Sequence, residues 1–124
     1  MYVERHAVTV TTGTATGEGY TPVVTGRLIS IRYVKPESGG YSDGVDFVVT
    51  TETSGLTLWD QQDVNASVTV APRQATTDNA GVDAVYAADG EAVLDHIYIA
   101  AERIKIAIAA GGNGTTGTFH ITIA

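Results

Sequence analysis

The chain has 124 residues, no cysteine, and 14 acidic against 7 basic residues, for a formal net charge of -7. That length builds one domain around a single core, and the missing thiols exclude disulfides, thiolate metal sites and thiol nucleophiles. The acidic balance excludes nucleic acid as an expected partner, because phosphate backbones call for a basic footprint.

The opening stretch "MYVERHAVTV" carries Glu4 and Arg5 where a secretory signal needs an unbroken apolar run, and no later segment is long and apolar enough for a membrane span. The expectation is a soluble product of the cytoplasm with no membrane contact, folded as a single domain over 1–124, with residues 1–6 as an N-terminal arm. "HAVTVTT" (6–12) then sets Val8 and Val10 against Thr9 and Thr11, the alternation of a half-buried strand. "GTATGEGYTP" (13–22) is rich in turn formers. "RLISIRYV" (27–34) places Ile29, Ile31 and Tyr33 on one face and Ser30 and Arg32 on the other. A second turn segment, "KPESGGYSDG" (35–44), leads to "VDFVVTT" (45–51), in which Val45, Phe47 and Val49 alternate with Asp46, Val48 and Thr50. "LTLW" (56–59) and "ASVTVA" (66–71) read as strands, separated by "QQDVN" and followed by the turn segment "PRQATTDNAG" (72–81). β-Branched residues dominate these runs, and they suit a pleated sheet better than a helix.

Between Val82 and Asp95, helical spacing of Val82, Val85 and Tyr86 competes with an Asp89-Gly90 turn, and the turn makes a hairpin the favoured reading. The closing stretch "ERIKIAIAAGGNGTTGTFHITIA" has a Gly-rich middle but no P-loop lysine and no following helix, so no phosphate site is expected there. It reads as a C-terminal β-hairpin, with Ile104, Ile106 and Ile108 sharing an apolar face with Phe119, Ile121 and Ile123. Burying those six side chains contributes on the order of 10 kcal/mol before chain entropy. The whole is an all-β chain of eight or nine strands, an antiparallel β-sandwich of jelly-roll type.

Chemistry-bearing patterns are sparse. His6, His96 and His120 each lack a second ligand at close spacing, so no metal is expected, and His6 and His120 read as outward-facing strand residues. "DNAGVD" and "SDGVD" are explained as turns without a calcium loop. No G-x-S-x-G elbow occurs. The expectation is therefore no enzyme, no catalytic residue, no cofactor and no small-molecule substrate. Four residues stand out for contact. Tyr2 and Arg5 lie in the expected arm, and Trp59 ends its strand either as a core ring or as a rim ring that anchors an interface. Arg73 follows Pro72 at a strand end, open either to solvent or to a neighbour's carboxylate.

The order "APRQAT", "YAADG", "ERIKIAIAAGGN", "GTFHITI" resembles small proteins encoded among the head genes of tailed bacteriophages, most of all over the last 55 or so residues. The resemblance implies a capsid decoration or cement protein, a jelly-roll or related sandwich on the virion surface. Such a protein binds the major capsid protein across capsomers, associates with itself as a dimer or trimer, and stabilises the head. Two alternatives stand beside it: a carbohydrate- or receptor-binding virion module, and a head-tail connector or tail component. The resemblance brings no catalytic residue and no fixed contact motif.

Overall fold

A computed structural model describes residues 2–124. Among these the regular elements are ten strands: β1 (Glu4–Thr11), β2 (Gly17–Tyr20), β3 (Val24–Val34), β4 (Val45–Thr51), β5 (Thr57–Val64), β6 (Val68–Val70), β7 (Arg73–Ala75), β8 (Leu94–Glu102), β9 (Ile104–Ala109) and β10 (Thr116–Ile123). They form a six-stranded sheet in the order β1-β10-β3-β8-β7, with β6 also paired to β3, and a four-stranded sheet in the order β2-β9-β4-β5. Every strand pairing is antiparallel.

The topology follows one rule. β1 pairs β10, β2 pairs β9, β3 pairs β8 and β4 pairs β5, so the first half of the chain runs back along the second half as one long ribbon. Rolling that ribbon sends successive rungs to alternate sheets, which is a jelly roll, as expected. β6 and β7 are additions between the fifth and the eighth strand.

The sheets meet through period-two side chains. Val10, Leu28, Ile31, Phe119 and Ile121 from the larger sheet face Val45, Phe47, Val49, Ile104 and Ile106 from the smaller, all buried in one cluster. Phe47 sits at its centre, with ring centroids 4.7 Å from Tyr33, 5.0 Å from Phe119 and 5.4 Å from Trp59 in edge-on geometry. Edge-on rings place a positive rim against a negative face, so this cluster adds directional attraction to plain area burial.

The expected C-terminal hairpin does not form. β9 pairs with β2 and β4 in one sheet and β10 pairs with β1 and β3 in the other, so Ile104, Ile106 and Ile108 face Phe119, Ile121 and Ile123 across the core. Both strands have the same alternation, and alternation fixes which side chains point inward without fixing which sheet a strand joins. The Gly-rich connection crosses between the sheets and is pinned by Thr12, whose hydroxyl donates to the Gly112 carbonyl at 2.7 Å.

The strand boundaries change in places too. β2 and β7 lie within stretches read as turns, and β5 runs on through "QQDV". Residues 4–6 belong to β1, paired with Ile123, Thr122 and Ile121, so only Tyr2 and Val3 of the expected arm precede the sheet, and Met1 lies outside the described residues. The hairpin reading of Val82–Asp95 holds: Val85 bridges Ala92 and Asp89 takes a positive φ of 59° at the turn.

Candidate binding face

The outward side of the six-stranded sheet is built by register. Buried Ile31 pairs buried Ile121, so the next positions along, Arg32, His120 and Ala7, form a row on the opposite, solvent side, continued by Thr69 of β6. Arg5, Thr122 and Ser30 make a second row, and Thr9, Thr118 and Val34 a third. On β8, Ile97 and Ile99 point inward, which turns Leu94, His96 and Tyr98 outward. Arg27 pairs Tyr98 and Arg73 pairs His96, so both arginines join that face.

The result is a charge segregation absent from the totals. Four of the five arginines, Arg5, Arg27, Arg32 and Arg73, occupy outward positions of one sheet, together with His96, His120 and the 58 % exposed Tyr98. None of the outward positions in these rows holds Asp or Glu. The carboxylate pairs among the described residues involve neither Arg5 nor Arg32 nor Arg73. Asp95 lies at the start of β8, directly before His96. It accepts from the His96 backbone N–H at 2.7 Å, which is the main reason its carboxyl sits below the usual aspartate range, with the Arg27 charge assisting. The outward side of the smaller sheet has the opposite character, with Glu18, Asp46 and Asp60 against Lys105. Thr9 Oγ1 and Thr118 Oγ1 lie 3.3 Å apart across the β1–β10 pair, and β-branched hydroxyls of this kind keep the face flat and wettable between the arginines. His120 Nδ1 is buried with no hydrogen-bond partner, a polar atom held in the middle of that surface.

A second polar cluster ties the two sheets together at one end. Arg103 forms a two-point pair with Glu52, with Nε donating to Oε1 at 2.9 Å, and its guanidinium lies 4.2 Å over the Tyr20 ring. Hydrogen bonding from Arg103 draws the Glu52 carboxyl below its ordinary value. Glu102 beside it accepts from the backbone N–H groups of Thr53 and Ser54 at 2.8 and 2.9 Å and from the Ser54 hydroxyl, and the Ser54 backbone bond is the chief cause of its lowered pKa. All these carboxylate bonds fasten the β4–β5 turn to the β8–β9 corner, which is a structural task. No pocket opens in the described surface, and no three His, Asp or Glu side chains gather to metal-ligand geometry among the described residues.

The four residues singled out from sequence separate here. Arg5 and Arg73 lie on the basic face, about which the sequence pattern said nothing. Tyr2 stands exposed ahead of β1. Trp59 is a core residue, only 7 % exposed, packed on Phe47 with its indole N–H donating to Gln61 Oε1 at 2.9 Å, so it offers no rim ring to a partner. β5 places Leu58 and Trp59 both inside, next to a register shift opposite Val49 and Thr50, and such a bulge breaks strict alternation. His6 also differs from its expectation. It shares the parity of Val8 and Val10, and it lies toward the inner side at the sheet end with Nε2 at 3.2 Å from Glu4. Arg27 and Arg32 went unrecognised because only aligned registers bring them beside Arg5 and Arg73.

No family model matches the chain, and no curated protein matches it. A solved structure described as "Crystal Structure of FLHE" is similar over 99 % of this chain and 98 % of that one, at 8 % identity and a TM-score of 0.47. The expectation of a phage capsid decoration protein is corrected: no family model and no curated protein supports it, and the similar solved structure carries no capsid description. The major capsid protein as partner and the virion surface as location rested on the same resemblance and are carried no further.

Proposed function

We propose that this chain is a non-catalytic β-sandwich that binds an acidic protein surface through the outward face of its six-stranded sheet. One observation carries the reading: in a chain of net charge -7, four of five arginines share one face whose strand rows contain no carboxylate. A surface that served only solubility would intersperse both signs. Arginine presents a planar fork matched to carboxylates, and Tyr98 between Arg27 and the sheet edge adds apolar area with few rotamers to freeze.

Magnitudes set the form of the test. One exposed ion pair contributes about 0–1 kcal/mol, so a single arginine decides little and the face acts only as a set. Reversing two charges removes two attractions and adds two repulsions, on the order of 2 kcal/mol in all, or more than tenfold in affinity. The probe is fluorescein-labelled polyglutamate, titrated with the full chain at low salt and followed by anisotropy. Binding is expected to weaken steeply with added salt. The double variant Arg32→Glu/Arg73→Glu is expected to lose at least tenfold in affinity, while Lys105→Gln on the opposite sheet leaves it unchanged. Circular dichroism of each variant confirms that the fold is retained. Equal polyglutamate affinity for the wild type and the Arg32→Glu/Arg73→Glu variant would refute the reading.

A further inference from the structure

Between β7 and β8 the chain makes an 18-residue excursion, Thr76 to Val93, that contains Asp78, Asp83, Asp89 and Glu91 and neither lysine nor arginine. Connections of this length without regular strands are uncommon in compact domains and are usually functional or disordered. This one has an internal ladder. Thr76 and Val93 close its base, with the Thr76 N–H donating to the Val93 carbonyl at 2.8 Å, and Ala84 N–H donates to Thr76 O at 2.9 Å. Farther out, Tyr86 N–H donates to Glu91 O at 3.1 Å, and Asp78 Oδ1 accepts from the Ala80 and Val82 backbone at 2.8 and 3.0 Å. An ordered arm results, and it is exposed almost throughout: Val82 is 61 % exposed and Tyr86 75 %. Side chains of that kind, on a segment whose backbone is already fixed, lose little further entropy on docking.

Resting on the reading that the arginine face takes an acidic protein surface, we propose that its partner is a second copy of this chain, whose acidic arm lies across the arginine face of the next copy. Charge complementarity selects that occupant. The arm brings four carboxylates with exposed Val82, Val85 and Tyr86, and the face offers four arginines with exposed Leu94 and Tyr98. Apolar side chains then meet at the centre of a charged rim, the arrangement found in protein interfaces. Arm and face are different patches of one molecule, so the contact is head-to-tail, and each added copy leaves one arm and one face free. The expected product is a chain or ring of copies held by weak repeated contacts.

The test is sedimentation velocity of the full chain over a concentration series at low and at physiological salt. The wild type is expected to associate at low salt and to weaken by about tenfold or more as salt is raised. Arg32→Glu/Arg73→Glu keeps the acidic arm but leaves two arginines against two glutamates on the face, and Asp83→Lys/Glu91→Lys keeps the arginine face but leaves two carboxylates against two lysines on the arm. Each alone is expected to stay monomeric, and their equimolar mixture to associate in pairs, because the unaltered acidic arm of the first variant then meets the unaltered arginine face of the second. A wild type that is monomeric throughout, or a mixture that stays monomeric while the wild type associates, overturns the proposal. The polyglutamate titration separates the two levels. Polyglutamate binding lost in Arg32→Glu/Arg73→Glu, without self-association of the wild type, sinks the second copy alone. Polyglutamate binding indifferent to those arginines sinks the face and this inference together.

Discussion

Tyr41 shows how a single side chain in the 35–44 connection secures two sheets. The segment reads as turn chemistry, yet Tyr41 is buried, its hydroxyl donating to the Val10 carbonyl at 2.6 Å and its ring stacked 6.0 Å from Tyr33. Burial pushes the phenol well above its ordinary pKa, which favours the protonated, donating form. The ring fits because position 117 has no side chain: a Cβ there would stand 2.5 Å from Tyr41 Cε2 and 2.8 Å from Tyr33 Cε1. Tyr41→Phe is expected to destabilise by about 1–3 kcal/mol, the penalty for leaving a buried acceptor short of its donor. Gly117→Ala is expected to lose about 1–3 kcal/mol through overpacking against two rigid rings. Urea midpoints at constant m-value measure both, and a Gly117→Ala midpoint equal to wild type would contradict the close approach. Trp59 belongs to the same scale. Sequence left it between core and rim, and the edge-on contact with Phe47 that decides the matter depends on the shifted register between β4 and β5.

At the scale of elements, alternation is a faithful guide wherever both faces of a strand differ. It gives β4 its bounds, 45–51, and it identifies the inward sets of β1, β9 and β10. It fails where the rule has a physical exception. β2 is "GEGY", whose glycines show no alternation because they make room: a Cβ on Gly19 would lie 2.6 Å from Val10 Cγ2. Sequence marked Arg5 and Arg73 singly and did not show the basic face, since pairings between strands distant in the chain set its rows. The β4–β5 turn supplies a prediction of its own. Glu102 holds this turn by accepting from Thr53 and Ser54, bonds that favour the ionised carboxylate and lower its pKa. A carboxyl whose folded pKa is depressed contributes stability that is complete above its unfolded value, about 4.3, and is lost as pH falls through the folded one. Glu102→Gln is therefore expected to lower Tm at neutral pH and to flatten the fall of Tm between about pH 5 and about pH 3. Part of the acid slope remains, because hydrogen bonds also depress Glu52 and Asp95. Superimposable Tm–pH profiles for variant and wild type would show that Glu102 does not hold the turn.

For the whole molecule, the rolled ribbon has a kinetic consequence. The pairing of Glu4 with Ile123 and of Val8 with Phe119 joins the two ends of the chain, and β2–β9 and β3–β8 are nearly as distant in sequence. Of the four pairings that build the ribbon, β4–β5 at its tip is the local hairpin. Each long-range pairing must meet its loop-closure entropy before its contacts return anything, so the tip is the inexpensive place to begin and the terminal strands close last. Trp59 reports on this directly: it lies in the tip strand β5, and it is buried only when the opposite sheet covers it. Stopped-flow refolding followed by Trp59 fluorescence is expected to proceed over milliseconds to seconds, the range of sheets dominated by non-local pairing. Within that frame, destabilising the terminal pair by Val8→Ala is expected mainly to speed unfolding, whereas Val49→Ala at the tip mainly slows refolding. Microsecond refolding, or a Val8→Ala effect confined to the refolding limb, would mean that the ends meet first and that the ribbon describes the final connectivity without describing the order in which it is made.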